Sequence, residues 1–108
     1  MIINKKEYYN ELLPFYSLLL TTKQQEIMNY YYYEDFSLSE IAELKNTTRS
    51  AIHDTIKKSN NLLENYEFKL KLLQKYKKRV IIYNEILAKS DKEVVSLINK
   101  ILEIEEEI

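Results

Sequence analysis

The chain contains no glycine and a single proline, Pro14. Tight hairpins and phosphate-cradling loops depend on positive φ, which glycine adopts without steric cost. Most sheet architectures are therefore closed to this sequence, whereas helices lose nothing by the absence. The expected fold is all-α. At 108 residues, one compact unit with an extended arm is the expected organisation, and folding at this size hides roughly two thirds of the unfolded surface. With no cysteine and one histidine, His53, the sequence offers neither a disulfide framework nor a set of zinc ligands. No cofactor is expected, and the cytoplasm is the simplest location. The segment from Met1 to Tyr9 carries charge early and lacks the apolar core of a signal peptide, and no apolar run approaches a bilayer span. Membrane insertion is not expected. The formal net charge of −1 argues against a DNA-condensing protein but is compatible with local basic patches.

Apolar spacing divides the chain into five or six helices. Leu12, Phe15, Tyr16, Leu19 and Leu20 make one face of a segment from Lys5 to Leu20, which Pro14 is expected to bend or interrupt. Thr22 with Gln25 reads as a capping box opening a second helix, with Ile27, Met28 and Tyr31 toward the core and an end near Tyr33. Ser37 with Glu40 is a second capping box, opening a short helix from Leu38 to Lys45. Asn46 suits a left-handed helix end, and Thr48 is placed to cap the next helix, from Arg49. From there Ile52, Ile56, Leu63, Tyr66, Leu70, Leu73 and Val80, with Ser59 and Lys77 between them, alternate in steps of four and three. This heptad seam predicts one long helix, or two nearly collinear ones broken near Asn60 or Asn65, reaching Leu87. Ser90 with Glu93 reads as a third capping box, opening a final helix whose Val94, Val95, Ile98, Ile101 and Leu102 share a face.

The segment from Ser37 to Lys58 has the make-up of a helix-turn-helix. The first helix of that motif buries a small residue where the second crosses it, and Ala42 occupies that place. Leu38 and Ile41 pack inward before the turn, and Ile52 and Ile56 pin the second helix to the same core. The motif then exposes Arg49, Ser50, His53, Asp54 and Lys57, with Arg49, His53 and Lys57 on one stripe from which base edges or phosphates are within reach. Asp54 repels phosphates unless it accepts from a cytosine amino group.

The strings LLTTKQQEIMNYYYYEDFSLSEIAE, TTRSAIHDTIKK and LENYEFKLKL resemble the YlxM family of small bacterial proteins, itself similar to sigma factor region 4. The likeness covers about Leu12 to Leu87. It is carried most by Leu20-Thr21 before Gln24-Gln25, by Ser37-x-x-Glu40-Ile41-Ala42, and by Arg49-Ser50-Ala51-Ile52 followed by Ile56-Lys57-Lys58. Members of that family are encoded beside genes of the signal recognition particle. The resemblance thus implies a regulatory accessory of that protein-targeting pathway, with the particle's RNA or GTPases as partners. It also implies a sigma region 4-like domain with a long helix over residues 1–87, followed by a helix over residues 88–108 packed on the same unit or on a dimer partner. Two positions depart from the family pattern, which favours bulky apolar residues where this chain has Lys45 and Thr47. Each exchange gives up about 1–3 kcal/mol of burial and predicts a looser turn.

Lys71, Lys75 and Lys78 lie on one stripe within six basic residues from Lys69 to Arg79 that have no acidic neighbour between them. They read as a phosphate-contacting rail or, the favoured reading, as a solvated face. The tyrosine run 30–33 points four ways around a helix, so capping of the bundle is preferred to nucleobase stacking. The acidic run from Glu103 to Glu107 reads as a solvated helix end able to pair with the lysine rail of another chain. No glycine-rich phosphate loop, no histidine beside a nucleophile and no carboxylate pair marks an enzyme. The chain reads as a binding module, with a sequence-specific DNA-binding regulator as the alternative and an oligomerisation module as a third possibility.

Overall fold

The structure, a computed structural model, describes residues 5–106. Residues 1–4 and 107–108 lie outside the description, and with them the start of the Met1–Tyr9 segment and Glu107 of the acidic run. Among the described residues there are six α-helices and no strand: α1 (Lys5–Tyr16), α2 (Thr22–Met28), α3 (Leu38–Leu44), α4 (Arg49–Leu70), α5 (Leu72–Ala88) and α6 (Lys92–Glu106). The chain is all-α. It divides into two compact units, one ending at Leu70 and the other beginning at Lys71.

In the first unit, α1 runs past Pro14 to Tyr16 and then tightens into a 3-10 turn over Ser17–Leu19. Proline thus leaves the helix uninterrupted, and the chain changes course two residues later. The capping box of α2 is Thr21 with Gln24, not Thr22 with Gln25: Gln24 N–H donates to Thr21 Oγ1 at 3.2 Å, and Thr21 N–H to Gln24 Oε1 at 3.0 Å. Both registers of Thr-Thr-Lys-Gln-Gln satisfy the motif. The observed one releases Gln25 to donate to the Leu20 carbonyl at 2.9 Å, which ties α2 to the preceding turn. After α2 the helix widens into one π turn, Asn29–Tyr33, closed by Glu34 N–H on the Asn29 carbonyl. This turn inserts one residue into the helical register. Tyr32 is buried as a result, and Tyr31, the core residue expected from uniform spacing, is half-buried and packs edge-on against it.

The core of this unit gathers Leu12 and Tyr16 of α1, Ile27 and Met28 of α2, Ile41 and Ala42 of α3, and Ile52, Ile56 and Leu63 of α4. Ser59 is fully buried in the α4 seam, where its hydroxyl donates to the Thr55 carbonyl at 2.8 Å and so leaves no polar group unmatched. Three tyrosine hydroxyls fasten α1 and the π turn to one stripe of α4. Tyr32 donates to Asn60 at 3.0 Å, Tyr9 to Glu64 at 2.9 Å and Tyr16 to Glu67 at 2.6 Å. The acceptors are spaced four and three apart, so they form one row along the helix.

Burial pushes the Tyr9 hydroxyl up to about 12, helped by its hydrogen bond to the Glu64 carboxylate. Burial likewise pushes Tyr32 up to about 12. A tyrosine freed by unfolding ionises near 10, so between pH 10 and 12 the unfolded chain releases protons that the folded chain retains. The stabilisation is complete below about pH 10 and disappears as pH rises through 12, at most about 2–3 kcal/mol for each residue. Absorbance at 295 nm should therefore show late titration of Tyr9 and Tyr32, coinciding with loss of helical circular dichroism. Titration of Tyr9 and Tyr32 near 10 with the helices intact would contradict the tyrosine fastening.

The second unit is the pair α5 and α6. The seam does not continue as a helix to Leu87, and the break is at neither Asn60 nor Asn65. Lys71 takes φ 58° and ψ 31°, ending α4 and serving as the first residue before α5. Lysine is a rare occupant of the left-handed region, at roughly 1–2 kcal/mol above glycine, so composition gave no warning of it. Leu73 and Ile98 are buried, and Arg79 of α5 donates to Glu105 of α6 at 2.7 Å. Helix α6 opens on Asp91, whose Oδ1 accepts from Val94 N–H at 3.0 Å. The expected Ser90 cap lies one residue too early, and the Ser90 hydroxyl donates back to the Ile86 carbonyl.

Candidate nucleic-acid interface

The geometry of the helix-turn-helix begins with Ser37, whose hydroxyl accepts from Glu40 N–H at 3.1 Å while the Glu40 carboxylate accepts from Ser37 N–H at 3.0 Å. This reciprocal box fixes the start of α3. The helix ends in a Schellman turn. Asn46 takes φ 51°, its N–H donates to the Glu43 carbonyl at 3.2 Å, and Thr47 N–H reaches the Ala42 carbonyl at 2.9 Å. Thr48 then caps α4, accepting from Ala51 N–H at 3.1 Å.

The turn is therefore closed by the Asn46 and Thr47 N–H groups and by the Thr48 cap, in contrast to the looseness expected from Lys45 and Thr47. Lys45 is half-buried, its ammonium pairs with Glu26, and it lies 5.8 Å from the centre of the Tyr30 ring. The Glu26 hydrogen bond holds this lysine above its ordinary value. A bulky apolar side chain is replaced by an aliphatic stem with its charge matched at the tip. Thr47 is exposed and contributes its backbone N–H.

Ile41, Ala42, Ile52 and Ile56 are all buried, and Leu38 is half-buried. Ala42 lies behind a crossing that a larger side chain would force apart. With these positions turned inward, Arg49, Ser50, His53, Asp54 and Lys57 are all exposed on the first turns of α4, as is Lys58 beside them. Neither Arg49 nor Lys57 pairs with a carboxylate among the described residues. His53 Nδ1 is 3.8 Å from Asp54 Oδ1, a contact longer than a hydrogen bond, between two exposed side chains. Arg49, Lys57 and Lys58 thus share the exposed first half of α4 with one carboxylate, Asp54, and the helix dipole adds partial positive charge at its first turn.

The structure brings Arg49, Ser50, His53 and Lys57 together and assigns Lys71, Lys75 and Lys78 to the other unit. Those lysines are exposed, but they do not extend a helix shared with Arg49: Lys71 is the break, and Lys75 and Lys78 belong to α5. Arg79, at the end of the same basic stretch, is bound by Glu105. Glu105 thus has a partner within its own chain. No group of three side chains able to hold a metal ion occurs among the described residues, and none of their helices is long and apolar enough to cross a membrane.

Fold and turn geometry define a small helix-turn-helix protein. The chain belongs to the YlxM / p13-like helix-turn-helix family, UPF0122, whose model matches residues 3–104. A UPF0122 protein of Clostridium acetobutylicum is 46% identical over 107 residues, covering 92% of both chains. The UPF0122 protein YlxM of Bacillus subtilis is 38% identical over 103 residues, covering 91% of this chain and 94% of its own. A UPF0122 protein of Lactococcus lactis is 41% identical over 109 residues, covering 99% and 98%.

Proposed function

We propose that this protein is a non-enzymatic regulatory accessory of the signal recognition particle pathway that grips a phosphate backbone with the exposed start of α4. The observation that carries the binding reading is the pair Arg49 and Lys57, exposed, without carboxylate partners among the described residues, on a helix set by a Schellman turn and the Thr48 cap. Cations on rigid elements lose little freedom on binding, and backbone N–H groups at a helix start add donors for phosphate oxygens. Likeness to the YlxM family supports the pathway. Lys71, Lys75 and Lys78 supply a second set of phosphate contacts from the other unit, and the particle's RNA is the expected partner, with its GTPases as the protein partners. Such work fits a cytoplasmic protein.

Sequence-specific DNA regulation is the second reading; it rests on the exposure of Arg49, Ser50, His53 and Lys57 on the second helix of the motif, and the exposed Asp54 weighs against it, because a carboxylate there repels phosphates unless it accepts from a cytosine amino group. Binding of the full chain to signal recognition particle RNA, to its GTPases and to random genomic DNA, at 50 and 200 mM salt, separates the two on about a tenfold difference in affinity. Preference for the particle's components is the expected result. Tight, sequence-selective binding to DNA without affinity for the particle would overturn the pathway assignment.

A further inference from the structure

Three departures from regular α-helix meet at one cleft of the unit ending at Leu70. Its walls include Asn10, Leu13 and Pro14 of α1, Ser17 at the start of the 3-10 turn, and Asn29 and Tyr33, the two ends of the π turn. Gln25 lines it as well, and no charged side chain does. Proline has no N–H, so the Asn10 carbonyl, four residues before Pro14, is without its regular helical donor. Backbone polar groups need partners wherever the helical ladder leaves them one short, and single π turns within helices frequently mark functional sites. The side chains of Asn10, Ser17 and Asn29 make no hydrogen bond among the described residues, whereas Gln25 already donates to the Leu20 carbonyl. Within the tyrosine run 30–33, Tyr30 stacks on Phe36 with ring centres 5.3 Å apart, Tyr31 packs edge-on against Tyr32, and Tyr32 is buried. Tyr33 differs: it makes no ring contact among the described residues and is 80% exposed. Its ring is therefore available to a ligand in the cleft.

We infer that this cleft binds an unpaired adenine base. Its volume of about 200 Å³ is below the roughly 300–1,000 Å³ of sites that take a whole drug-sized molecule, so it suits one flat group. A lining without charge offers nothing to a phosphate or a carboxylate and favours a neutral group that both donates and accepts. A nucleobase meets these terms, since its face stacks on an aromatic ring and its edge carries donors and acceptors. Adenine is the best match among the bases, because an asparagine amide pairs bidentately with its amino group and ring nitrogen. The second hydrogen of that amino group suits a carbonyl deprived of its helical donor. Guanine is read most often by a cation, and the lining has none. The base must be unpaired, because a duplex covers both its stacking faces and its pairing edge. An apolar side chain of a partner protein would instead desolvate the Asn10 and Asn29 amides without replacing their hydrogen bonds to water.

The test uses the full chain with adenosine, AMP, and single-stranded oligo(A) and oligo(C) RNA of equal length. Adenosine, which has no phosphate, is expected to move the amide resonances of Asn10, Asn29 and Tyr33 in ¹⁵N-labelled protein. In fluorescence anisotropy, oligo(A) is expected to bind at least fivefold more tightly than oligo(C). Tyr33→Ala and Asn29→Ala are expected to abolish that preference with helical circular dichroism unchanged, since both side chains are exposed, and Tyr33→Phe to retain it. With the preference present, AMP as tight as oligo(A) makes a free nucleotide the source of the base, and a tenfold advantage for oligo(A) makes it an RNA strand. Absence of adenosine shifts at these residues, equal affinity for the two strands, or a preference that survives Tyr33→Ala would overturn the inference. Arg49→Ala with Lys57→Ala is expected to weaken both strands alike and to leave the adenosine shifts in place, so failure of the α4 reading is distinguishable from failure of the cleft.

Discussion

Ile52→Ala will lower the unfolding free energy of the unit ending at Leu70 by roughly 2–5 kcal/mol, while Arg49→Ala leaves it within about 0.5 kcal/mol. Ile52 is 1% exposed and lies where α4 meets the core formed with Ile41 and Ala42 of α3. Truncation removes three carbons from a packed interior, and the Schellman turn, anchored by two backbone hydrogen bonds, resists collapse into the space. Domains of this size are stable by only about 5–15 kcal/mol, so the change is a large share of the total. Urea unfolding followed by circular dichroism measures both variants. A cost below about 1 kcal/mol for Ile52→Ala would mean that the two helices of the motif are not pinned through this side chain. The contrast matters for function as well, because it separates variants that dismantle the motif from those that only remove its exposed charge.

Much of that motif was legible in the sequence. Ser37 and Glu40 cap α3, Asn46 takes the left-handed conformation, Thr48 caps α4, and Ile41, Ala42, Ile52 and Ile56 are buried. Each of these rests on a local rule whose residues stand within a few positions of one another. The misjudged features have different physics. Thr21 replaces Thr22 as a cap because both registers satisfy the capping-box pattern, and Asp91 replaces Ser90 because a lone N-cap carboxylate, without a box partner at Val94, caps α6 while the Ser90 hydroxyl bonds the Ile86 carbonyl. Tyr32 replaces Tyr31 in the core because the π turn over Asn29–Tyr33 adds a residue that no periodicity of 3.6 anticipates. The end of α4 was hidden because Lys71, with no glycine in the chain to mark such sites, takes a positive φ.

The tyrosine hydrogen bonds were hidden for a further reason. Asn60, Glu64 and Glu67 look like ordinary solvent-facing residues of a long helix until the register of α1 and of the π turn is known. Once that register is set, a composition rich in tyrosine becomes structural, with aromatic bodies in the core and hydroxyls at its edge. The exposed face of α4 was read correctly as exposed from the inward positions alone. Its separation from the lysines of α5 was not, since the heptad seam predicts one long helix, or two nearly collinear ones, reaching Leu87.

The most direct test of the account is the salt dependence of binding by the Arg49→Ala, Lys57→Ala double variant, measured on signal recognition particle RNA between 50 and 200 mM salt. Each phosphate contact contributes about one unit or slightly less to the slope of log affinity against log salt, because it releases condensed counterions. With both cations gone, the slope should fall by about 1.5–2 and affinity at 50 mM salt by at least tenfold, with the unfolding transition unchanged. An intact variant that retains the wild-type affinity and slope would show that the start of α4 does not contact the backbone.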